Sequence, residues 1–242
     1  MADRYFVETP IAGGSARLVG AEAHHLAHVM RAKPGDEVAL FDGSGAEFTA
    51  RVERVGRSEI ELVVLARSDV DRELSVAITL GVTLPKQDRA RWLVEKGVEL
   101  GVARLVPLVT ERSTERASPA ALDRLRRTVI EASKQCGRNR LMEVATPQPL
   151  ADYLAAPASR SVCLLAHPGA EGFRGALREL ISTAAAQDVW LGIGPEGGFT
   201  NVEVELAVGS GWRAVGFGPR ILRVETAALT LAAAVMIAFQ RD

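Results

Sequence analysis

Only two cysteines occur among the 242 residues, Cys136 and Cys163, and neither their number nor their spacing supports a disulfide scaffold or a thiolate metal site. That scarcity fits a reducing, cytoplasmic setting. Long apolar runs are lacking too: the longest, residues 227–239, is interrupted by Thr230 and falls short of the ~20 residues a membrane crossing needs. The first residues, Met1-Ala2-Asp3-Arg4-Tyr5-Phe6-Val7, have no apolar centre of the kind a secretory signal requires. No Gly-Lys-Ser/Thr follows a glycine loop, which excludes a Walker phosphate loop, and no Gly-x-Ser-x-Gly elbow offers a hydrolase nucleophile. A large charge of either sign is also missing, since the formal net charge is −1. What is present is a globular composition, 48% apolar and 24% charged, with length for a core of ordinary size plus a smaller module.

The neutral total conceals an uneven distribution. Residues 1–74 carry 9 basic and 13 acidic side chains, residues 75–140 carry 13 and 7, and residues 141–242 carry 7 and 10. A basic middle is what a localised polyanion contact produces, because phosphates are neutralised by Lys and Arg gathered on one face. Solvated helix faces are the other reading of the same pattern.

Over residues 38–65 short apolar runs alternate with polar residues and are broken at Asp42-Gly43-Ser44-Gly45 and Gly56-Arg57-Ser58, which predicts strands joined by tight turns. One helix is expected over 21–31 before Pro34-Gly35-Asp36 turns the chain. The charged stretch 67–73 marks a domain boundary, giving a β-rich module over 1–72 and a second domain over 73–242. Beyond it Val76, Ile78, Leu80, Val82 and Leu84 recur with period two, and Trp92, Leu93, Val94, Val98 and Leu100 follow helical spacing up to Gly101. A short strand follows at 105–109. Ser118-Pro119 then supplies an N-cap and a first-turn proline for a helix running toward Gly137. Further strands are expected at 162–166, 189–193 and 214–217, separated by helices near 172–185 and 200–209. This alternation predicts an α/β domain with a mostly parallel sheet covered by helices on both faces. The final helix, 225–239, is apolar on nearly every face and must be buried all round, by the core or by a second copy of the chain.

Two irregular turns stand at strand exits: Gly192-Ile193-Gly194-Pro195-Glu196-Gly197-Gly198-Phe199, and Gly218-Pro219-Arg220-Ile221-Leu222-Arg223-Val224-Glu225-Thr226-Ala227. Strand exits in α/β sheets are where ligands bind, so the two turns describe a pocket wall. Gly192-x-Gly194-x-x-Gly197 matches a dinucleotide fingerprint by letter, but Pro195 and Phe199 intervene, and the capping box Thr200-x-x-Glu203 starts the helix too late. The glycines instead allow close approach of backbone to a flat ligand such as adenine. His24 and His28 stand at i and i+4, a spacing that can bind metal, but no third ligand is apparent and no metal is expected. Glu196, Arg223 and Glu225 are the charged groups expected to face the pocket.

These two turns closely resemble the signature of the RsmE family, bacterial methyltransferases of small-subunit ribosomal RNA. His25, Leu26, Val29, Met30 and Arg31 are similar to the family's N-terminal motif, as are residues 95–101 with Glu111-Arg112-Ser113 to its central one and residues 131–138 to a fourth. Val224 stands where the family commonly has Thr, and Met142 where a proline is usual. The resemblance implies a SPOUT-type parallel sheet with a C-terminal trefoil knot, preceded by a small PUA-like β-barrel, and a homodimer. General rules of chain topology do not anticipate a knot. It further implies S-adenosylmethionine as methyl donor, and N3 of a uridine in 16S ribosomal RNA, free or in the small ribosomal subunit, as acceptor. Another SPOUT RNA methyltransferase or a non-catalytic RNA-binding module are the alternatives.

On this reading the donor is held by Leu165, Ala166 and His167, by Ile193, Gly194, Pro195, Glu196, Gly197 and Gly198, and by Phe217, Gly218, Ile221, Leu222, Arg223, Thr226 and Ala227. Arg223 is expected to stabilise charge on the uracil oxygens, and Glu196 to orient the methionine amino group or accept a proton through water. RNA contacts are expected from Arg31, Lys86, Arg89, Arg91, Arg112, Arg138 and Arg140.

Overall fold

Alternating burial builds the N-terminal strands: in β4 (Glu47–Val55) Phe48, Ala50 and Val52 point inward while their neighbours face solvent. The computed structural model describes residues 3–113, 117–170, 172–182 and 188–240. It divides into one unit of Met1–Glu73 with Ile130–Leu141, and another of Leu74–Val129 with Met142–Asp242. The first unit holds β1 (Arg4–Phe6), β2 (Ser15–Val19), α1 (Gly20–His24), β3 (Glu37–Phe41), β4 and β5 (Glu59–Ser68). Its 5-stranded sheet has the order β1-β3-β4-β5-β2, antiparallel except for β1 beside β3. Tyr5, Leu18, Leu26, Leu40, Phe48 and Ile60 are among the residues of its core.

The helix expected over 21–31 departs from a uniform α-helix. After α1 it widens into a π-helical turn over His25–Val29, with the Met30 N–H donating to the His25 carbonyl at 3.1 Å, and Arg31 closes it at φ +57°. His24 and His28 rings sit with centroids 4.7 Å apart, and no group of three metal-ligating side chains forms among the described residues. Elsewhere in this unit Glu47 accepts from both Arg4 and Arg72, the latter at 3.1 Å. Burial raises the Glu47 pKa, but the two guanidinium bonds outweigh it and hold the carboxyl below its ordinary 4.5.

The second unit contains β6 (Ala77–Val82), α2 (Asp88–Glu99), β7 (Val102–Val109), α3 (Pro119–Cys136), β8 (Glu143–Val144), β9 (Gln148–Pro149), α4 (Leu150–Ala155), β10 (Val162–Ala166), α5 (Phe173–Ser182), β11 (Asp188–Ile193), α6 (Asn201–Gly209), β12 (Arg213–Val215) and α7 (Val224–Phe239). The last turns of α3, from Ile130, count with the first unit. Ser118 caps α3 as its sequence suggests, its Oγ accepting from the Ala121 N–H at 3.3 Å, and Gly101 and Gly137 follow α2 and α3 at φ +80° and +83°. Residues 183–185, expected to continue α5, lie outside the described residues. The short elements β8, β9 and α4 escaped the sequence pattern because two-residue strands and a six-residue helix are shorter than the windows periodicity needs.

The sheet runs β12-β10-β11-β6-β7-β8, with β9 also beside β7, and its strand pairs are parallel. Strands β7 and β8 follow β6 to one side, whereas β10, β11 and β12 lie on the other, so the chain's direction of travel reverses between β6 and β11. One row across the sheet reads Leu165, Gly192, Gly81, Val106. A Cβ on Gly81 would lie 2.4 Å from the Tyr153 ring, and one on Gly192 would lie 2.6 Å from Leu165 Cδ1. The bare backbone lets the fully buried Tyr153 hydroxyl accept from the Gly81 N–H at 2.9 Å and donate to the Leu191 carbonyl at 2.9 Å, linking β6 to β11. Trp190 and Trp212 close around it with centroids at 5.2 and 5.4 Å.

Helix α7 buries Val224, Ala228, Leu231, Ala232 and Val235, but Ile237 is 70% exposed. The all-round burial expected from its composition is therefore not achieved by the core of one chain.

Tyr153→Phe keeps the ring but removes the hydroxyl's bonds to the Gly81 N–H and the Leu191 carbonyl, and should cost roughly 1–3 kcal/mol in denaturant unfolding; an unchanged midpoint would contradict the bridging role. Because the Glu47 pKa is depressed on folding, its contribution is complete above 4.5 and is lost as the pH falls through the lower folded value. Arg4→Met should thus reduce stability at neutral pH and flatten the acid-induced decline, and a parallel acid profile in the variant would refute the pairing.

Candidate active site

Strand pairing carries directly into the turns at the carboxyl ends of β6, β10, β11 and β12. The Thr83 N–H donates to the Ile193 carbonyl at 3.1 Å, and the His167 N–H to the Val215 carbonyl at 3.0 Å. The turn after β11 closes with the Gly198 N–H donating to the Pro195 carbonyl at 2.8 Å, Gly198 adopting φ +68°. A Cβ on Gly194 would fall 3.1 Å from the Phe199 ring, which is buried against it. The expected capping box forms: Thr200 and Glu203 bond reciprocally, and Glu203 Oε1 also accepts from the Glu111 N–H at 2.8 Å. Glu203 thereby ties the start of α6 to the segment after β7 that carries Arg112, whose Nη1 donates to the Gly197 carbonyl at 2.6 Å.

The second turn begins where the chain crosses itself closely. A Cβ on Gly216 would stand 2.6 Å from the Ala170 carbonyl oxygen, and the Phe173 N–H donates to the Gly216 carbonyl at 3.0 Å. Gly218 follows at φ +85°, Arg223 is the extended N-cap residue of α7, and Ile221 is 85% exposed, an unusual place for an isoleucine. Arg89, in the first turn of α2, reaches both turns: Nη2 lies 3.2 Å from Glu196 Oε1 and Nη1 lies 3.7 Å from Glu225 Oε2. Glu196 has a side chain 60% exposed, whereas Glu225 is buried in the first turn of α7.

The residues singled out from sequence are thus distributed unevenly. Leu165 has its side chain in the core, leaving only backbone for a ligand; Ile193, Gly194, Pro195 and Ala227 are buried; Ala166, His167, Gly198, Phe217 and Leu222 are half-buried; Glu196, Gly197, Gly218, Ile221, Arg223 and Thr226 are exposed. Lys86 and Arg91 are exposed in the second unit, as are Arg31 and Arg140 in the first. Arg89 and Arg112 are engaged with the two turns. Arg138 is 5% exposed and grips Glu73 with bonds of 2.6 and 2.9 Å, so its guanidinium serves the interior of the first unit.

Sequence reasoning passed over Thr83 and the Arg89 bridge. Thr83 lay inside a period-two strand pattern and carried no separate signal. Yet Thr83 Oγ1, His167 Nδ1 and Glu225 Oε2 are buried side-chain atoms without a hydrogen-bond partner, all placed around the strand ends. Gly198 and Gly218 have open space where a side chain would project. Unpaired buried polar atoms beside bare backbone suit a flat, polar, nucleoside-like ligand.

Arg89 is delivered by a tight turn, its N–H donating to the Lys86 carbonyl at 3.2 Å, in which Gln87 holds φ +45° and ψ −113°. That conformation favours glycine.

A parallel sheet with glycine turns at its strand ends, in a chain that also holds a small β-rich unit, places the protein in the class of RNA methyltransferases. Residues 72–236 match the family profile described as the RNA methyltransferase domain, and residues 18–65 match the RNA methyltransferase PUA domain. A ribosomal RNA small subunit methyltransferase E from Synechocystis is 32% identical over 87% of this chain and 69% of its own. A methyltransferase from Legionella pneumophila, solved in complex with the bound cofactor SAM, is 31% identical with a TM-score of 0.88, covering 98% of both chains. A ribosomal RNA small subunit methyltransferase E from Neisseria gonorrhoeae, solved bound to S-adenosyl methionine, is 30% identical with a TM-score of 0.88 over 99% of this chain and 98% of that one. The chain belongs to the ribosomal RNA small subunit methyltransferase E family, RsmE.

Replacing Gln87 with Gly should release backbone strain and raise stability by roughly 1 kcal/mol; a lower melting temperature for Gln87→Gly would show that the side chain, and not strain, dominates there.

Proposed function

We propose that this protein is an S-adenosylmethionine-dependent methyltransferase acting on N3 of a uridine in 16S ribosomal RNA. The observation that carries the reading is the pair of glycine turns at the ends of β11 and β12, on either side of β10, flanked by unpaired buried polar atoms, in a chain of this family. Backbone at 165–167, 193–198 and 217–227 holds the donor, with Gly198 and Gly218 admitting its flat base. When bound, the donor supplies an electrophilic methyl group on a sulfonium.

The rest of the chemistry belongs to the chain. Uracil N3 is a poor nucleophile until its proton leaves, so the site must orient the base and favour its anion. Arg223, exposed at the N-cap of α7, adds its charge to the helix's positive end and stabilises the uracil oxygens. Glu196, solvent-exposed and paired with Arg89, orients the methionine amino group or passes a proton to water. Exposed Arg31, Lys86, Arg91 and Arg140 position RNA phosphates without reading sequence. The target uridine is single-stranded or flipped outward, since N3 is otherwise masked by pairing. Residues 1–72 serve as the RNA-binding domain and 73–242, knotted at the C-terminal end, as the methyltransferase domain. The protein works in the cytoplasm as a homodimer, and the exposed Ile237 on α7 supports a second copy covering that helix.

Tritiated methyl incorporation into small subunits that lack the modification tests the reading. Label is expected at a uridine N3, and Arg223→Ala should lower turnover on the order of a hundredfold with little change in donor affinity. Absence of label with either free RNA or subunits would sink the proposal, and undiminished turnover in the variant would remove Arg223 from the chemistry.

A further inference from the structure

We infer that Glu225, with Arg89 as its positioning residue, makes the site prefer the cationic methyl donor over the neutral thioether left after transfer. This rests on the reading that the turns around 194–198 and 218–227 hold the donor. Glu225 is 6% exposed, and its Oε2 is buried without a hydrogen-bond partner. Its ion-pair partner is Arg89, whose Nη1 stands at 3.7 Å, too far for a hydrogen bond. Burying a carboxylate oxygen so incompletely matched is costly, and the amide dipoles of the first turn of α7 offset only part of that cost. Arg89 is moreover shared, because its Nη2 meets Glu196 Oε1 at 3.2 Å.

Two carboxylates around one guanidinium leave this cluster with an excess of negative charge. The Glu196 part of that field is exposed to solvent and screened; the Glu225 part is buried and persists. Arg112 and Arg223 are exposed, so water weakens their opposing fields. The chemistry of the ligand makes such a field useful. A sulfonium has no proton to donate, so hydrogen bonding cannot select it, whereas a buried anion can. In the transfer the S–CH3 bond breaks with its electron pair passing to sulfur. The N3 lone pair forms the N–CH3 bond, and the N3 proton leaves to a base or water. The by-product therefore differs from the donor by one methyl and one positive charge. A carboxylate that recognises that charge lets the spent product leave and fresh donor enter. Selecting the ground-state cation is a specificity device and adds nothing to the chemical step itself.

The test is calorimetric titration of the full-length protein with S-adenosylmethionine, S-adenosylhomocysteine and sinefungin, whose amine places a cation near the sulfonium position. The unaltered protein should favour both cationic ligands over S-adenosylhomocysteine. Glu225→Gln should weaken the two cationic ligands about tenfold while leaving the neutral thioether within about twofold, which itself reports an intact pocket. Glu225→Asp keeps the charge and should keep the preference; it decides the matter if Glu225→Gln fails to fold, since loss of the preference in Glu225→Asp with the thioether still bound would overturn the inference. Equal weakening of all three ligands in Glu225→Gln would make Glu225 a structural residue only, and no weakening would remove it from the site. Failure of the unaltered protein to bind any of the three would instead refute the proposed function, whereas equal binding of donor and thioether would overturn this inference alone.

Discussion

Everything at the candidate site depends on two strands that have no side chains where they would otherwise collide with their neighbours. Gly81 and Gly192 are paired in register on β6 and β11, and their missing Cβ atoms are the space that Tyr153 and Leu165 occupy. A phenol buried this deeply is pushed well above its usual titration range, so it stays a hydrogen-bond donor, and its hydroxyl joins both backbones. The strands thus leave the core with their carboxyl ends level, and the turns that follow them start from a rigid base. A larger residue at either glycine would move the turns before it affected any group in the pocket.

The turns themselves are held by polar bonds that originate elsewhere in the chain. Glu203 caps α6 and simultaneously anchors the segment after β7; Arg112 closes on the Gly197 carbonyl; Arg89 spans Glu196 and Glu225. Each of these side chains fixes backbone that has no regular ladder to fix it. The result is a wall preorganised by the protein, which is what a site that must align a donor carbon with a nucleophile requires.

Much of this was legible in the amino-acid order. A period-two run located β6, strands were expected at the places of β10 and β11, the Ser118-Pro119 start and the Gly137 stop delimited α3, and Thr200-x-x-Glu203 announced the reciprocal cap of α6. The two glycine turns stood out as irregular turns at strand exits, and their letters pointed to the family to which the chain belongs. Less visible were elements too short to show a period, such as β8 and β9, and the widening of the first helix into a π-helical turn, which depends on one extra residue per turn and leaves no compositional trace. Arg138 shows the limit from the other direction. In the sequence it is one more cation in a basic stretch; in the fold it is a buried partner of Glu73.

By itself the sequence determined the longer strands and helices, the caps of α3 and α6, and which loops are free of side chains, because these follow from periodicity, capping chemistry and the steric freedom of glycine within a few neighbouring residues. Tertiary structure alone decided which charges meet. Arg89, Glu196 and Glu225 are separated by more than a hundred positions between the first and the others. Whether an arginine becomes a phosphate contact, a clamp across two turns or an interior ion pair depends on distances and burial, and those exist only once the chain has folded.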